Sequence, residues 1–237
     1  MTTDPMSGEG RAQILRGSYL FNGLDAEVMG RVAQLAVPRQ LAAGEVLFWQ
    51  GDDGDALYGV INGLVRIWLT GPDGKELTLS LMEPGDFFGE IALLDGLSRS
   101  ANASALSDSR LIAIQRRDFL GLVEREPRLA RHLIELLCER LRVVTDRISD
   151  AVFLDLHKRL AKTIDALATA HGLQGEEGIV IDAKLSQSAL AQLLGVTREA
   201  VNKQLKTFAK AGLITTKNGK MVVLNLAGLR EHSHADN

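Results

Sequence analysis

Apolar residues near the start of the chain recur at helical intervals: Leu24, Val28, Val32 and Leu35 step by four, four and three, with Asp25 near a helix start. Residues 4–34 therefore read as short helices. From Val37 to Gln115 the texture changes to short apolar runs at 46–49, 57–61, 65–69, 77–81 and 111–114. Turn signals separate them: Gly44, Gly51 and Asp52, Gly54 and Asp55, Asn62 and Gly63, Asp73 and Gly74, and Pro84 to Asp86. Short strands at such regular spacing predict a β-sandwich or jelly-roll barrel. From Asp118 to about Ala170 the pattern is helical again. Within it Leu137, Leu141, Val144, Ile148 and Ala151 alternate steps of four and three, a two-position seam for packing one helix along another. Glu139, Arg140, Arg142, Asp146 and Arg147 crowd its flanks, whereas a helix buried in its own domain carries a wider apolar stripe. The seam predicts a parallel homodimer. Residues 172–177 read as a loop, and a compact module follows.

That module has its own punctuation. Ser186 can cap a first helix whose inner face is Ala189, Leu190, Leu193 and Leu194. Gly195 supplies a tight turn, and Thr197 caps a second helix. There Ala200, Val201 and Leu205 face inward, while Arg198, Glu199, Asn202, Lys203 and Lys206 face out. Two short helices around a glycine turn describe a helix-turn-helix. Arg198 has the bidentate fork that matches guanine, Glu199 can accept from cytosine, and Lys203 reaches a base or a phosphate. Residues 213–224 read as a β-hairpin wing turning at Asn218 and Gly219.

Charge sharpens this picture. Lys184, Arg198, Lys203, Lys206, Lys210, Lys217 and Lys220 stand against Glu199 alone in residues 184–220, a net +6, leaving −9 on the rest of a chain whose total is −3. A basic module on an acidic body fits a polyanion partner, although a solvated lysine-rich face has the same composition. No run approaches the roughly 20 apolar residues of a membrane span. The opening decapeptide lacks an export pattern, so the cytoplasm is the expected compartment.

The most specific stretch runs from Phe87 to Ala101, Phe-Phe-Gly-Glu-Ile-Ala-Leu-Leu-Asp-Gly-Leu-Ser-Arg-Ser-Ala. Gly89 permits close backbone approach, and Glu90 to Leu93 offer amide groups in one helical turn to an anion. Arg99 adds a charge-assisted donor and Ser100 a hydroxyl. Glu90 is out of place beside a phosphate unless it accepts from a ribose hydroxyl and pairs with an arginine.

This stretch resembles the phosphate-binding cassette of cyclic-nucleotide-binding domains. With the C-terminal module, about residues 15–225 resemble the catabolite-activator/fumarate-nitrate-regulator (CRP/FNR) family of transcription factors. The resemblance implies an α+β chain: a β-roll with N-terminal helices over 1–127, a dimerisation helix over 128–155 and a winged helix-turn-helix over 156–237. It implies that Gly89, Glu90, Ile91, Ala92, Arg99, Ser100 and Ala101 surround the cyclic phosphate and ribose, with Arg140 pairing with Glu90. It also implies DNA contacts by Ser186, Gln187, Thr197, Arg198, Glu199, Asn202 and Lys203, on a palindromic site with TGTGA-like halves, with RNA polymerase as a partner. Two departures matter. Val144 and Thr145 replace the family's adjacent threonine and serine at the adenine, so cyclic AMP is the first choice and cyclic GMP stays open. Lys203 replaces an arginine and lacks its fork.

Other classes fall on residue counts. Cys138, the single cysteine, excludes the iron–sulfur cluster of oxygen-sensing relatives and reads as a core or seam residue. Jelly-roll metalloenzymes place histidines in the barrel, yet none precedes His132, which also disfavours haem. His157 lies on a helix, His171 in a loop, and His232 and His234 in what reads as a solvated tail. No enzyme, metal or haem is expected. The remaining alternative is a family member whose cassette serves another effector or none.

Overall fold

The structure, a computed structural model, describes Leu15 and residues 17–181, 186–217 and 219–234. Lys184, Asn218 and residues 4–14 and 16 of the N-terminal stretch expected to be helical lie outside the described residues. The chain divides into two compact units, Met1–Thr70 with Thr78–Leu141, and Gly71–Leu77 with Arg142–Asn237.

The first unit opens with a 3-10 turn at Tyr19–Phe21 and helix α1 (Ala26–Leu35), which buries Val28, Met29, Val32 and Ala33. Asp25 stands at its N-cap as expected, but its side chain accepts no capping bond. Eight strands follow: β1 (Val37–Leu41), β2 (Val46–Phe48), β3 (Ala56–Asn62), β4 (Val65–Thr70), β5 (Glu76–Met82), β6 (Phe87–Phe88), β7 (Asn102–Ala105) and β8 (Ser109–Gln115). They form two four-stranded sheets in the orders β1-β8-β3-β6 and β2-β7-β4-β5. Helix α2 (Glu90–Asp95) interrupts the strands, and α3 (Arg116–Arg125) and α4 (Pro127–Phe153) follow them.

The sheet containing β8 is covered on both faces. Leu57, Ile112 and Ile114 pack with Val32, Phe119, Leu122 and Leu129 of the helices, while Val60, Leu111 and Phe88 pack with Val65, Ala103 and Ala105 of the other sheet. Burial of both faces explains why residues 111–114 are continuously apolar rather than alternating. Three strands escaped the apolar pattern. β7 is Asn-Ala-Ser-Ala, and its two alanines, Ala103 and Ala105, are buried in the core between the sheets. β1 is largely exposed and lies at a sheet edge, where Pro38 costs no ladder bond. β6 has two residues, below any periodicity.

In the second unit α5 (Leu156–His171), α6 (Gln187–Leu194), α7 (Arg198–Lys210) and α8 (Leu226–His234) join a sheet ordered β11-β12-β10-β9. Its strands are β9 (Gly172–Gln174), β10 (Ile179–Ile181), β11 (Ile214–Lys217) and β12 (Lys220–Val223). The stretch expected as a loop thus begins with a strand, because Leu173 pairs with Val180 at a sheet edge. The wing is present as β11 and β12, with Gly219 at φ 76°. Leu160, Ile164, Leu190, Leu194, Val201, Phe208, Val223 and Leu229 make one core.

Helix α4 carries the heptad residues. Leu137 is half-buried, but Leu141, Val144 and Ile148 are 66%, 51% and 60% exposed, as is Ala151 to a comparable class. Val152 and Phe153 extend the apolar stripe at 68% and 79%. Cys138 is exposed, so of the two expected places, core or seam, it does not occupy the core.

Candidate ligand cassette and nucleic-acid interface

The cassette is built where β6 pairs with β3, Tyr58 opposite Phe88. Gly89 follows at φ 84° and caps α2. A Cβ there would stand 2.7 Å from Arg99 Nη1 and 3.3 Å from Ala56 O, so the position requires glycine for both conformation and space. Helix α2 turns Glu90 and Ala92 inward, where they are 1% and 2% exposed, and leaves Ile91 outside. Arg140 of α4 closes on this corner. Its Nη1 lies 2.5 Å from Glu90 Oε1, and its Nη2 donates to Phe87 O. Glu90 Oε1 nonetheless makes no well-aligned hydrogen bond.

Arg99 is 3% exposed. Nη1 donates to Gly89 O at 3.0 Å and Nη2 to Ala56 O at 2.9 Å, while Asp55 Oδ1 lies 3.6 Å from Nη2. The guanidinium carbon sits 4.3 Å from the Phe48 ring centroid and 5.5 Å from that of Tyr58. Burial pulls the Arg99 pKa below its ordinary value and pushes the Tyr58 phenol up. Arg99 Nε is buried with no hydrogen-bond partner. Ser100 beside it is exposed and Ala101 is buried.

Sequence reasoning missed the frame beneath this corner. Asp55, Phe48, Tyr58 and Ala56 hold Arg99, and Arg116 donates from Nε to Leu93 O at 2.7 Å, holding the last turn of α2. Its backbone N–H also donates to Asp55 O at 2.7 Å. The only sequence signal was the Gly-Asp cluster at 51–55, read as a turn. A Cβ on Gly54 would fall 2.2 Å from the Ala92 Cβ. Gly54→Ala is therefore expected to destabilise the protein by about 1–3 kcal/mol through overpacking against α2. A urea midpoint equal to wild type would contradict this.

Of the expected ligand residues, Gly89, Glu90, Ala92, Arg99 and Arg140 converge on one corner of the first unit. Val144 and Thr145 are exposed on α4 and fall in the second unit.

The helix-turn-helix is assembled by local chemistry. Ser186 Oγ accepts from Ala189 N at 3.1 Å, Thr197 Oγ1 accepts from Ala200 N at 3.2 Å, and Gly195 takes φ 66° between them. Each cap satisfies one orphan donor of its helix. Thr197→Ala should accordingly cost about 1 kcal/mol in thermal or denaturant unfolding. The inner face of α6 is Leu190, Ala191 and Leu194, so Ala191 replaces the expected Ala189, and α7 buries Val201 and Phe208 with Leu205 partly covered. Arg159 Nη2 donates to Leu194 O at 2.6 Å, holding the turn from α5, a contact no local pattern announces.

Arg198, Glu199 and Lys203 are exposed on α7, as expected, while Asn202 is half-buried and accepts from Gln187 Nε2 at 3.5 Å. Thr197, Arg198, Glu199 and Asn202 line an open depression of about 500 Å³. Lys206, Lys210, Lys217 and Lys220 are exposed in the same unit. No described helix is long and apolar enough to cross a membrane. No group of three or more metal-ligating side chains occurs among the described residues.

Residues 38–126 match the family described as cyclic nucleotide-binding domain, and residues 158–232 match the Crp-like helix-turn-helix domain. The chain is 32% identical to the CRP-like cAMP-activated global transcriptional regulator of Mycobacterium tuberculosis over 90% of its own length and 95% of the relative's. It is 35% identical to the cyclic AMP receptor protein of Thermus thermophilus, covering 92% and 97% of the two chains. The solved c-di-GMP responsive global regulator CLP of Xanthomonas campestris superposes with a TM-score of 0.75 at 26% identity, covering 84% of this chain and 99% of that one. These relatives are transcription regulators rather than enzymes. A β-roll with this cassette, a long helix and a capped helix-turn-helix place the chain in the CRP/FNR family of transcription regulators.

Proposed function

We propose that this protein is a cytoplasmic, homodimeric regulator whose sequence-specific binding to double-stranded DNA is controlled by a cyclic nucleotide, cyclic AMP in the first place. The observation that carries the reading is a buried donor without an acceptor. Arg99 Nε is enclosed and unpartnered at a corner where Gly89 brings the backbone close and Glu90 offers an inward carboxylate oxygen. A buried unmet donor on a cation calls for an anionic acceptor. A cyclic phosphate supplies the anion, and its ribose hydroxyl supplies a donor to Glu90 beside the Arg140 pairing. Gly89, Ile91, Ala92, Ser100 and Ala101 are the proposed surround, Arg140 the partner of Glu90, and Val144 and Thr145 the purine-facing positions one turn along α4.

A domain plan of β-roll over 1–127, dimerisation helix over 128–155 and DNA-binding domain over 156–237 follows from this assignment. Ser186, Gln187 and Thr197 would meet phosphates, and Arg198, Glu199, Asn202 and Lys203 would face bases in the major groove. Two such helices in a homodimer fit a palindromic site, and RNA polymerase is the expected protein partner. The nucleotide can shift this system only by favouring one arrangement of the seam over another.

One observation favours a second reading. Both Nη groups of Arg99 already serve protein carbonyls, so the arginine has a structural duty, and the cassette could serve another effector or none. Calorimetry with cyclic AMP, cyclic GMP and cyclic di-GMP separates these readings. Micromolar binding of one mononucleotide supports the first and names its purine. Binding of cyclic di-GMP alone, or of none, supports the second.

Arg198→Ala is expected to cost roughly 1–3 kcal/mol of discrimination between a selected site and random DNA. An equal loss on both duplexes would make Arg198 a phosphate contact instead.

A further inference from the structure

His232 falls in a segment that reads as a solvated tail, yet the structure folds it into α8 and against the core of the second unit. His157 Nε2 and His232 Nδ1 are 3.0 Å apart, and His157 Nδ1 lies 3.0 Å from Gln204 Oε1 on α7. The three side chains are half-buried. Phe208 of α7 seals the group, its ring centroid 4.5 Å from that of His157 and 6.0 Å from that of His232. A chain of bonds therefore runs from α8 through α5 to the residue next to Lys203. We propose that His157 and His232 are positioning residues for α7, and that their shared bond makes DNA binding sensitive to protons. The proposal rests on the reading of α7 as the recognition helix.

The tautomers follow from the partners. Gln204 Oε1 can only accept, so His157 Nδ1 carries a proton and donates to it. His157 Nε2 is then the acceptor, and His232 Nδ1–H donates to it. One added proton goes to His232 Nε2 and leaves both bonds intact. A second can enter only at His157 Nε2, where it faces the Nδ1–H of His232. Two donors and two positive charges then meet, and the bond between α5 and α8 is lost. Histidine is the side chain whose charge changes between pH 5 and 8.

From α7 the pair meets Gln204 and Phe208, both uncharged. Arg159 of α5 is committed to Leu194 O, and Arg230 of α8 pairs with Asp165 at 2.9 Å. Lys158, Lys203 and Glu231 flank the three positions along their helices without a bond to either ring. The sign is therefore set by the pair: acid weakens the brace.

The test uses the full-length chain and duplexes that it enriches from a random pool at pH 7.5. Affinity for those duplexes and for random DNA is then measured from pH 7.5 to pH 5.0, with thermal melting at each pH. His232→Asn offers a donor at the Nδ1 position that cannot take up a proton, and His232→Ala removes the donor. Wild type should lose about fivefold more specific affinity across the range than His232→Asn, the worth of one hydrogen bond. His232→Ala should start about fivefold weaker at pH 7.5 and show no additional loss in acid. Parallel profiles for wild type and His232→Asn would overturn the proposal. So would a wild-type loss matched on random DNA, or one explained by melting. No enrichment at pH 7.5, whether cyclic AMP, cyclic GMP or neither is added, would overturn the recognition-helix reading itself, and with it this proposal, before any acid is added.

Discussion

Arg99→Ala is expected to lower affinity for the cyclic nucleotide by about 100-fold or more while leaving the dimer assembled. Removing a charged donor from a buried phosphate contact forfeits more than removing a neutral one, because the phosphate keeps its desolvation cost without its partner. The side chain also satisfies Gly89 O and Ala56 O and stacks on Phe48, so the same substitution strips two buried carbonyls of a donor. Stability should therefore drop alongside affinity, and the two effects need separating. Arg99→Lys does so. A lysine retains the charge but lacks the planar fork that reaches two carbonyls and still presents a third donor. Calorimetry on the lysine variant at matched folded fraction should still show a large affinity deficit. Wild-type affinity there, together with wild-type affinity in Arg99→Ala, would reduce Arg99 to scaffolding and favour the alternative effector.

The second large effect concerns α4. Leu141 and Ile148 are 66% and 60% exposed on the apolar stripe of α4. Burying a leucine or isoleucine is worth about 1.5–3 kcal/mol, and a twofold seam buries four such side chains from these two positions. Scaled by their present exposure, Leu141→Glu with Ile148→Glu should thus remove roughly 4–8 kcal/mol of association energy and convert a dimer into a monomer. Glutamate is a good helix former, so the helix itself should persist. Sedimentation velocity reads the mass and circular dichroism the helix. Selected palindromic DNA should lose binding far more than half-site DNA does, because the monomer cannot engage two half-sites at once. A double variant that still sediments as a dimer would remove α4 from the interface.

Much of the site was legible residue by residue, wherever the chemistry was local. Ser186 and Thr197 cap their helices because a hydroxyl meets an amide three residues on, a relation that needs no tertiary partner. Gly89 and Gly195 adopt positive φ where the turns demand it. The pairing of Glu90 with Arg140, 50 residues apart, came from the family resemblance rather than from any periodicity. Where periodicity was pushed to single residues it slipped, placing Ala189 rather than Ala191 on the inner face of α6, because the two alanines are chemically alike.

Contacts distant in sequence decided the rest. Asp55 and Ala56 reach Arg99 from the start of β3, and Arg116 reaches Leu93 from the start of α3, through atoms whose partners are fixed only once the sheets are stacked. β7 is an alanine-rich strand with no apolar run, recognisable once the opposite sheet is in place. His232 sits in a polar C-terminal stretch whose composition signals solvent, and its bond to His157 exists because α8 packs along α5. Helix starts, turns and strand runs are written into the chain because propensity, capping and alternation act over one to four neighbours. The orphaned Nε of Arg99 and the histidine brace depend on which buried groups find partners across the core, and packing alone settles that.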